Sequence, residues 1–171
     1  ELRPLLQFDG LHSLDLSADH PFLLDDASLL AMADAWPRLV SLDLGRYSGA
    51  GVTPPAFITL LERCPELKRL TIPLDFSAVD VHDFDPLPIG ALRTHGALAG
   101  LAGLAGLELG PYRIAHAHAV AGFLNAVIPD RANITMLSSD FDEERTCRQS
   151  FRQTIKYLYQ MRGEKKEQHG Q

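Results

Sequence analysis

The chain has 171 residues, a formal net charge of −6, 46% apolar residues and 22% charged ones. That length suits one domain, the composition is neither that of an acidic disordered tail nor that of a membrane protein, and no run approaches the ~18–20 uncharged apolar residues that a spanning helix needs. Net acidity argues against nucleic acid as the partner, because phosphate binding rests on a basic surface; the two cysteines, Cys64 and Cys147, cannot build a disulfide framework and fit a reducing, intracellular compartment, cytoplasm or nucleus.

The opening Glu1-Leu2-Arg3-Pro4 is not the charged-then-apolar start of a signal peptide and reads as the beginning of a fragment or trimmed chain. From there the chain repeats. Leu11-His12-Ser13-Leu14-Asp15-Leu16 recurs 28 residues on as Leu39-Val40-Ser41-Leu42-Asp43-Leu44, and after another 28 as Leu67-Lys68-Arg69-Leu70-Thr71-Ile72. A fourth copy, Leu104-Ala105-Gly106-Leu107-Glu108-Leu109, follows after 37. Each has the form L-x-x-L-x-L, the strand core of a leucine-rich repeat, whose period runs from ~20 to 29 residues.

The segments between copies carry helical periodicity. Asp25-Asp26 precede Leu29, Met32, Ala33 and Trp36, spaced i, i+3, i+4, i+7 on one helical face, with the acidic pair where an N-cap and the helix dipole favour negative charge. Thr53-Pro54-Pro55 opens a second helix with Phe57, Leu60, Leu61 and Cys64 at the same spacing, Thr53 as cap and proline in the first turn. Residues 75 to 96, with Asp75, Asp80, Asp83, Asp85, Pro86 and Pro88, read as a loop insertion that lengthens the fourth unit. The Ala-Leu-Gly run from Ala97 to Gly106 is assigned to strand only from Leu104 onward, because its glycines weaken a helix by about 1 kcal/mol each. A third helical set, Val120, Phe123, Leu124 and Val127, leads through Ile128-Pro129 to a weaker strand candidate, Asn133 to Leu137.

A strand-loop-helix unit of this kind cannot bury its leucine row and its helix stripe alone, so neighbours must stack. The expected fold is α/β: a leucine-rich-repeat solenoid of about four to five units over residues 1–142, a curved parallel sheet on the concave side and helices on the convex side. Residues 143–162 form the expected C-terminal capping helix, with Cys147, Phe151, Ile155 and Leu158 on its buried face, and 163–171 a frayed polar tail.

Within L-x-x-L-x-L the leucines point inward, and the residues flanking the second leucine point to the concave surface. Two exposed columns follow, Ser13, Ser41, Arg69 and Gly106, and Asp15, Asp43, Thr71 and Glu108. The candidate binding residues are Ser13, Asp15, Ser41, Asp43, Arg69, Thr71 and Glu108, an acidic patch bordered by a guanidinium and suited to a basic protein partner; the plainer reading is two solvated aspartates that repel weakly. Charge is also split along the chain, −9 before residue 143 and +3 after it. Arg145, Arg148, Arg152 and Lys156 form a basic stripe on the terminal helix, either a docking strip for acidic surface or simply its solvated face.

No catalytic or metal pattern emerges, and neither a cofactor nor a metal is expected. The G-x-S-x-G elbow, the P-loop, the dinucleotide fingerprint and H-E-x-x-H are all missing from the sequence. His116 and His118 fall on opposite faces of a helix. Asp80, His82, Asp83 and Asp85 read as a solvated loop, Cys64 as core rather than nucleophile, and Asn133-Ile134-Thr135 as a chance glycosylation match.

Several segments together, Leu2-Arg3-Pro4-Leu5-Leu6 with Phe8, Leu24-Asp25-Asp26, Ala35-Trp36-Pro37, Cys64-Pro65, Leu74-Asp75, Leu109-Gly110, Val120 to Leu124 and Ile128-Pro129, resemble the leucine-rich region of fungal F-box-like proteins over roughly residues 2 to 137. The resemblance implies a non-catalytic protein-interaction domain, the substrate-recognition repeats of a ubiquitin-ligase subunit, whose adaptor would be bound through an upstream F-box that this chain does not show. The alternatives are a freestanding repeat scaffold or inhibitor unrelated to ubiquitin, or a regulatory module of a trimmed enzyme.

Overall fold

The fold is described from a computed structural model, over residues 4–16, 24–45, 51–77, 103–110, 114–136 and 144–168, with side chains of the last segment described for 147–163. A short 3₁₀ turn, Leu5–Gln7, leads to strand β1 (Ser13–Asp15), helix α1 (Asp26–Ala35), β2 (Ser41–Asp43), α2 (Pro54–Arg63), β3 (Arg69–Ile72), β4 (Gly106–Leu109), α3 (Ala117–Val127), β5 (Asn133–Met136) and α4 (Glu144–Gln168). The protein is α/β, and the five strands among the described residues form one parallel sheet in chain order, β1 to β5.

Every strand pairs so that the repeat stacks in register: Leu14, Leu42, Leu70, Leu107 and Ile134 are successive Cα partners across the sheet. Each of the middle strands is entered through the same device. Val40 and Ser41 N–H both donate to the His12 carbonyl, Lys68 and Arg69 N–H to that of Val40, and Ala105 and Gly106 N–H to that of Lys68. Identical local hydrogen bonding at a fixed interval is what lets a repeated sequence become a repeated structure. Strand β4 begins at Gly106 rather than Leu104, because Leu104 and Ala105 belong to this entry turn.

The core lies on the helix side of the sheet. Leu42, Leu70 and Leu107 are at most 2% exposed and meet Leu29, Met32, Ala33 and Trp36 from the first helical unit and Phe57, Leu60 and Leu61 from the second. Helix α1 is capped as expected, Ser28 N–H donating to the Asp25 carboxylate at 2.8 Å. Helix α2 is not. Thr53 occupies the N-cap position, but its hydroxyl donates to Asp26 Oδ2 at 2.7 Å and its N–H to Asp26 Oδ1 at 2.9 Å. Pro54 and Pro55 carry no N–H, which leaves the cap the Ala56 N–H at most, and the hydroxyl instead ties α2 to the start of α1. At the other end of the same pair Arg63 bonds Asp34, and the Cys64 thiol donates to the Trp36 carbonyl. These links join residues 27, 29 and 28 apart, the repeat interval expressed as contacts between neighbouring units.

The terminal helix departs from expectation in two respects. Its most buried residues are Cys147, Thr154, Leu158 and Arg162, while Phe151 and Ile155 are half-buried beside them. Thr154 is accommodated because its hydroxyl donates to the Ser150 carbonyl one turn back at 2.9 Å. The helix also continues to Gln168, through residues assigned above to a frayed tail; past Gly163 the chain is Glu-Lys-Lys-Glu-Gln, all good helix formers. Phe76, the second residue of the expected insertion, is buried with its ring 6.0 Å from that of Phe123; positions 78–102, including Asp80, His82, Asp83, Asp85 and Ala97 to Ala102, lie outside the described residues. No described helix is long and apolar enough to cross a membrane.

Candidate functional site

The sheet face away from the helices carries an open groove of about 350 Å³. All seven residues picked from the sequence line it: Ser13, Asp15, Ser41, Asp43, Arg69, Thr71 and Glu108, with Gly106 completing the floor. Period-two alternation puts them there, since their leucine neighbours are drawn into the core.

Register makes two straight columns of them. One runs Ser13, Ser41, Arg69, Gly106, Asn133, and the other Asp15, Asp43, Thr71, Glu108, Thr135. The fifth strand thus extends both columns by a residue that was not chosen, although Asn133-Ile134-Thr135 aligned with the earlier copies carries the signal. Neighbouring members of a column are separated by the ~4.8 Å strand spacing. Asp15 and Asp43 therefore stand as adjacent like charges, whereas Glu108 has a threonine on each side. The Thr71 and Thr135 hydroxyls donate to its two carboxylate oxygens at 3.4 Å each, long bonds that orient the group more than they hold it.

Asp43 has a structural duty besides its charge. Its Oδ1 accepts the Gly45 N–H at 2.8 Å, fixing the turn out of β2, where Gly45 takes a positive φ of 66°. Arg69 is exposed, and no ion pair engages it among the described residues. A Cβ built on Gly106 would meet nothing within 4 Å, so the face beside Arg69 is an empty step in the floor. The groove accordingly offers carboxylates and threonine hydroxyls toward the C-terminal ends of the strands, and a guanidinium with serine hydroxyls toward their N-terminal ends.

The other residues singled out are dispersed. Cys64 is 1% exposed, and burial pushes its thiol up to about 11, which keeps it protonated and unreactive at neutral pH. His116 is the N-cap residue of α3, and His118, two residues on, packs its ring edge-on against Tyr157 of α4 at 5.2 Å. Among the described residues no three of His, Cys, Asp and Glu gather as metal ligands. Arg152 and Lys156 are exposed on α4 and Arg148 is half-buried, while the Arg145 side chain lies outside the described residues.

One buried cation escaped sequence reasoning altogether. Arg162, 8% exposed, donates to the carbonyls of Ile128, Pro129 and Asp130 and pairs with the Asp130 carboxylate at 3.4 Å. It anchors the terminal helix to the turn between α3 and β5, across 32 to 34 residues that no local pattern spans. No protein-family model, curated protein or solved structure matches this chain.

Proposed function

We propose that the chain is a leucine-rich-repeat solenoid, its five strands lining a concave face and α4 serving as its cap, and that it works without catalysis as the substrate-recognition part of an F-box-like ubiquitin-ligase subunit. The observation that carries the recognition role is the alignment of both polar columns in one groove. Side chains fixed on paired strands have little freedom left to lose, so a partner is met by a pre-arranged surface and the ordering cost falls on the partner alone. Solenoids of stacked units generally bind through such extended faces.

The chemistry of the columns names the partner's half of the contact. Adjacent Asp15 and Asp43 suit one Lys or Arg side chain placed between them, which relieves their repulsion as it binds. Arg69 takes a carboxylate or phosphate from the same partner. The link to ubiquitin rests on the sequence resemblance and is tested separately.

Two experiments divide the proposal. Affinity purification of the full-length protein should bring down a ligase adaptor and a cullin; their absence removes the ubiquitin link. The triple variant Asp15→Asn, Asp43→Asn, Glu108→Gln keeps one acceptor oxygen at each position, including the one that Gly45 needs, gives up one of the two long threonine bonds to Glu108, and removes three charges. It should lose a captured partner that the unaltered protein retains, and equal capture by both would remove the groove.

A further inference from the structure

The groove carries its charges in a fixed order. Across the sheet, carboxylates stand on β1 and β2 (Asp15 and Asp43), a guanidinium on β3 (Arg69) and a carboxylate on β4 (Glu108). Glu108 is oriented by its neighbours, Thr71 and Thr135 each donating to one of its oxygens. Beyond Arg69 its own column falls away, because the next member is Gly106, where an added Cβ would touch nothing within 4 Å. Three charged stations and one open step therefore lie on strands whose separation is set by backbone pairing.

That separation matches the period of an extended chain. A cation seated between Asp15 and Asp43 lies one and a half strand spacings from β3, about 7 Å, and two and a half from β4, about 12 Å. An extended chain advances about 7 Å in two residues and about 13 Å in four, and residues two apart face the same side. A segment laid across the strands brings its first, third and fifth side chains over the aspartate pair, Arg69 and Glu108 in turn. The remaining difference of about 1 Å is within the reach of a lysine on its flexible four-carbon stem. Along the strands the two columns lie about 7 Å apart, a strip that suits one extended chain and is narrower than a helix, about 10–12 Å across with its side chains.

We propose that the groove takes an extended segment of a protein partner with the charge order basic, any, acidic, any, basic, laid across β1 to β4, its central acidic side chain entering the step at Gly106 beside Arg69. This rests on the recognition role proposed above and adds what is recognised. The first basic residue relieves the repulsion between Asp15 and Asp43, the central carboxylate pairs with Arg69, and the last basic residue meets the oriented Glu108. Gly106 sets the fit at the centre, since a side chain there would fill the space that the acidic one needs. A segment with the same charges in another order sets a cation over Arg69 or a carboxylate over an aspartate, and the like charges oppose its binding.

Fluorescence anisotropy at low ionic strength tests this with two labelled peptides of one composition, Ser-Lys-Ser-Glu-Ser-Lys-Ser and Ser-Lys-Lys-Ser-Ser-Glu-Ser. The unaltered chain should bind the first about tenfold or more tightly than the second, a preference that fades as salt screens the charges. It should also prefer the first to Ser-Lys-Ser-Lys-Ser-Lys-Ser, against the pull of its own net charge of −6, and Arg69→Glu should reverse that choice. Gly106→Val, at a position with room for a side chain, should weaken the first peptide by about tenfold, and both variants should keep the circular dichroism of the folded chain. Equal affinity for the two orders, no binding of either, an Arg69→Glu variant that still prefers the central glutamate, or a Gly106→Val variant that binds as the unaltered chain does overturns the inference. The recognition role is judged separately, by partner capture with the triple variant. A groove that loses its partner there yet ignores charge order in the peptides keeps that role and loses this inference.

Discussion

Leu42 shows how one residue serves the whole stack. At 1% exposure it contacts a core to which its own unit and both neighbours contribute, so Leu42→Ala should cost about 2–5 kcal/mol and Leu42→Asp, burying a carboxylate without a partner, should unfold the chain. Chemical denaturation followed by circular dichroism measures the first, and a soluble Leu42→Asp variant with unchanged melting would refute the register. Cys64 yields a pH prediction of defined sign. Its thiol is raised by burial from an ordinary 9.0 to about 11, so the folded state holds its proton where the unfolded state has released it. The associated stability is complete below pH 9 and declines as pH rises from 9 toward 11, by on the order of 2–3 kcal/mol. Denaturation midpoints of the unaltered chain should fall faster over that window than those of Cys64→Ala.

Among the elements, α4 depends most on a single long-range contact. Helix α3 ends at Val127, and the carbonyls that follow would need water or a capping group; Arg162 supplies one from the far end of the next helix. Arg162→Met keeps the packing of the stem and removes the donors, leaving the buried Ile128 carbonyl without its guanidinium partner at about 1–3 kcal/mol, while the Pro129 carbonyl keeps the Ala132 N–H. Amide exchange should accelerate in α4 and in the turn after α3 while β1 to β3 keep their protection; uniform acceleration would mean that the helix is part of one cooperative unit instead. Much at this scale was legible. The leucine spacing, the stripes of α1 to α3 and the Asp25 cap depend on residues within one or two turns of each other, and these formed where expected. Thr53 took the N-cap position as expected, but where its hydroxyl bonds was not legible, because its partner, Asp26, lies in another helix. The buried line of α4 was misplaced because burial there is set by packing against the rest of the molecule, whereas hydrophobicity alone puts Thr154 after Phe151 and Ile155.

The whole molecule turns a split of charge into a patterned surface. The excess of −9 before residue 143 is partly set out as a column on one sheet face, in which only Asp15 and Asp43 are directly adjacent. Removing their charges in the Asp15→Asn, Asp43→Asn pair should raise the melting temperature slightly at low salt, and the gain should shrink as added salt screens the repulsion. A loss of stability at every ionic strength would mean that the carboxylates are fixed by partners whose bonds asparagine cannot replace.

By itself the sequence determined the unit: a 28-residue interval, an L-x-x-L-x-L strand, a helix behind it, and therefore which side chains face inward and which face out. Those are properties of period and hydrophobicity, which act over a few residues. Only the tertiary structure decided how the units meet. Strand register aligned the columns into a groove, Asp26 was drawn to Thr53 and Arg162 to the turn after α3, and the first unit was left with half-buried leucines where every middle unit hides them. A buried surface is a relation between neighbours, and a repeat identical in sequence is buried or bare according to what stands beside it.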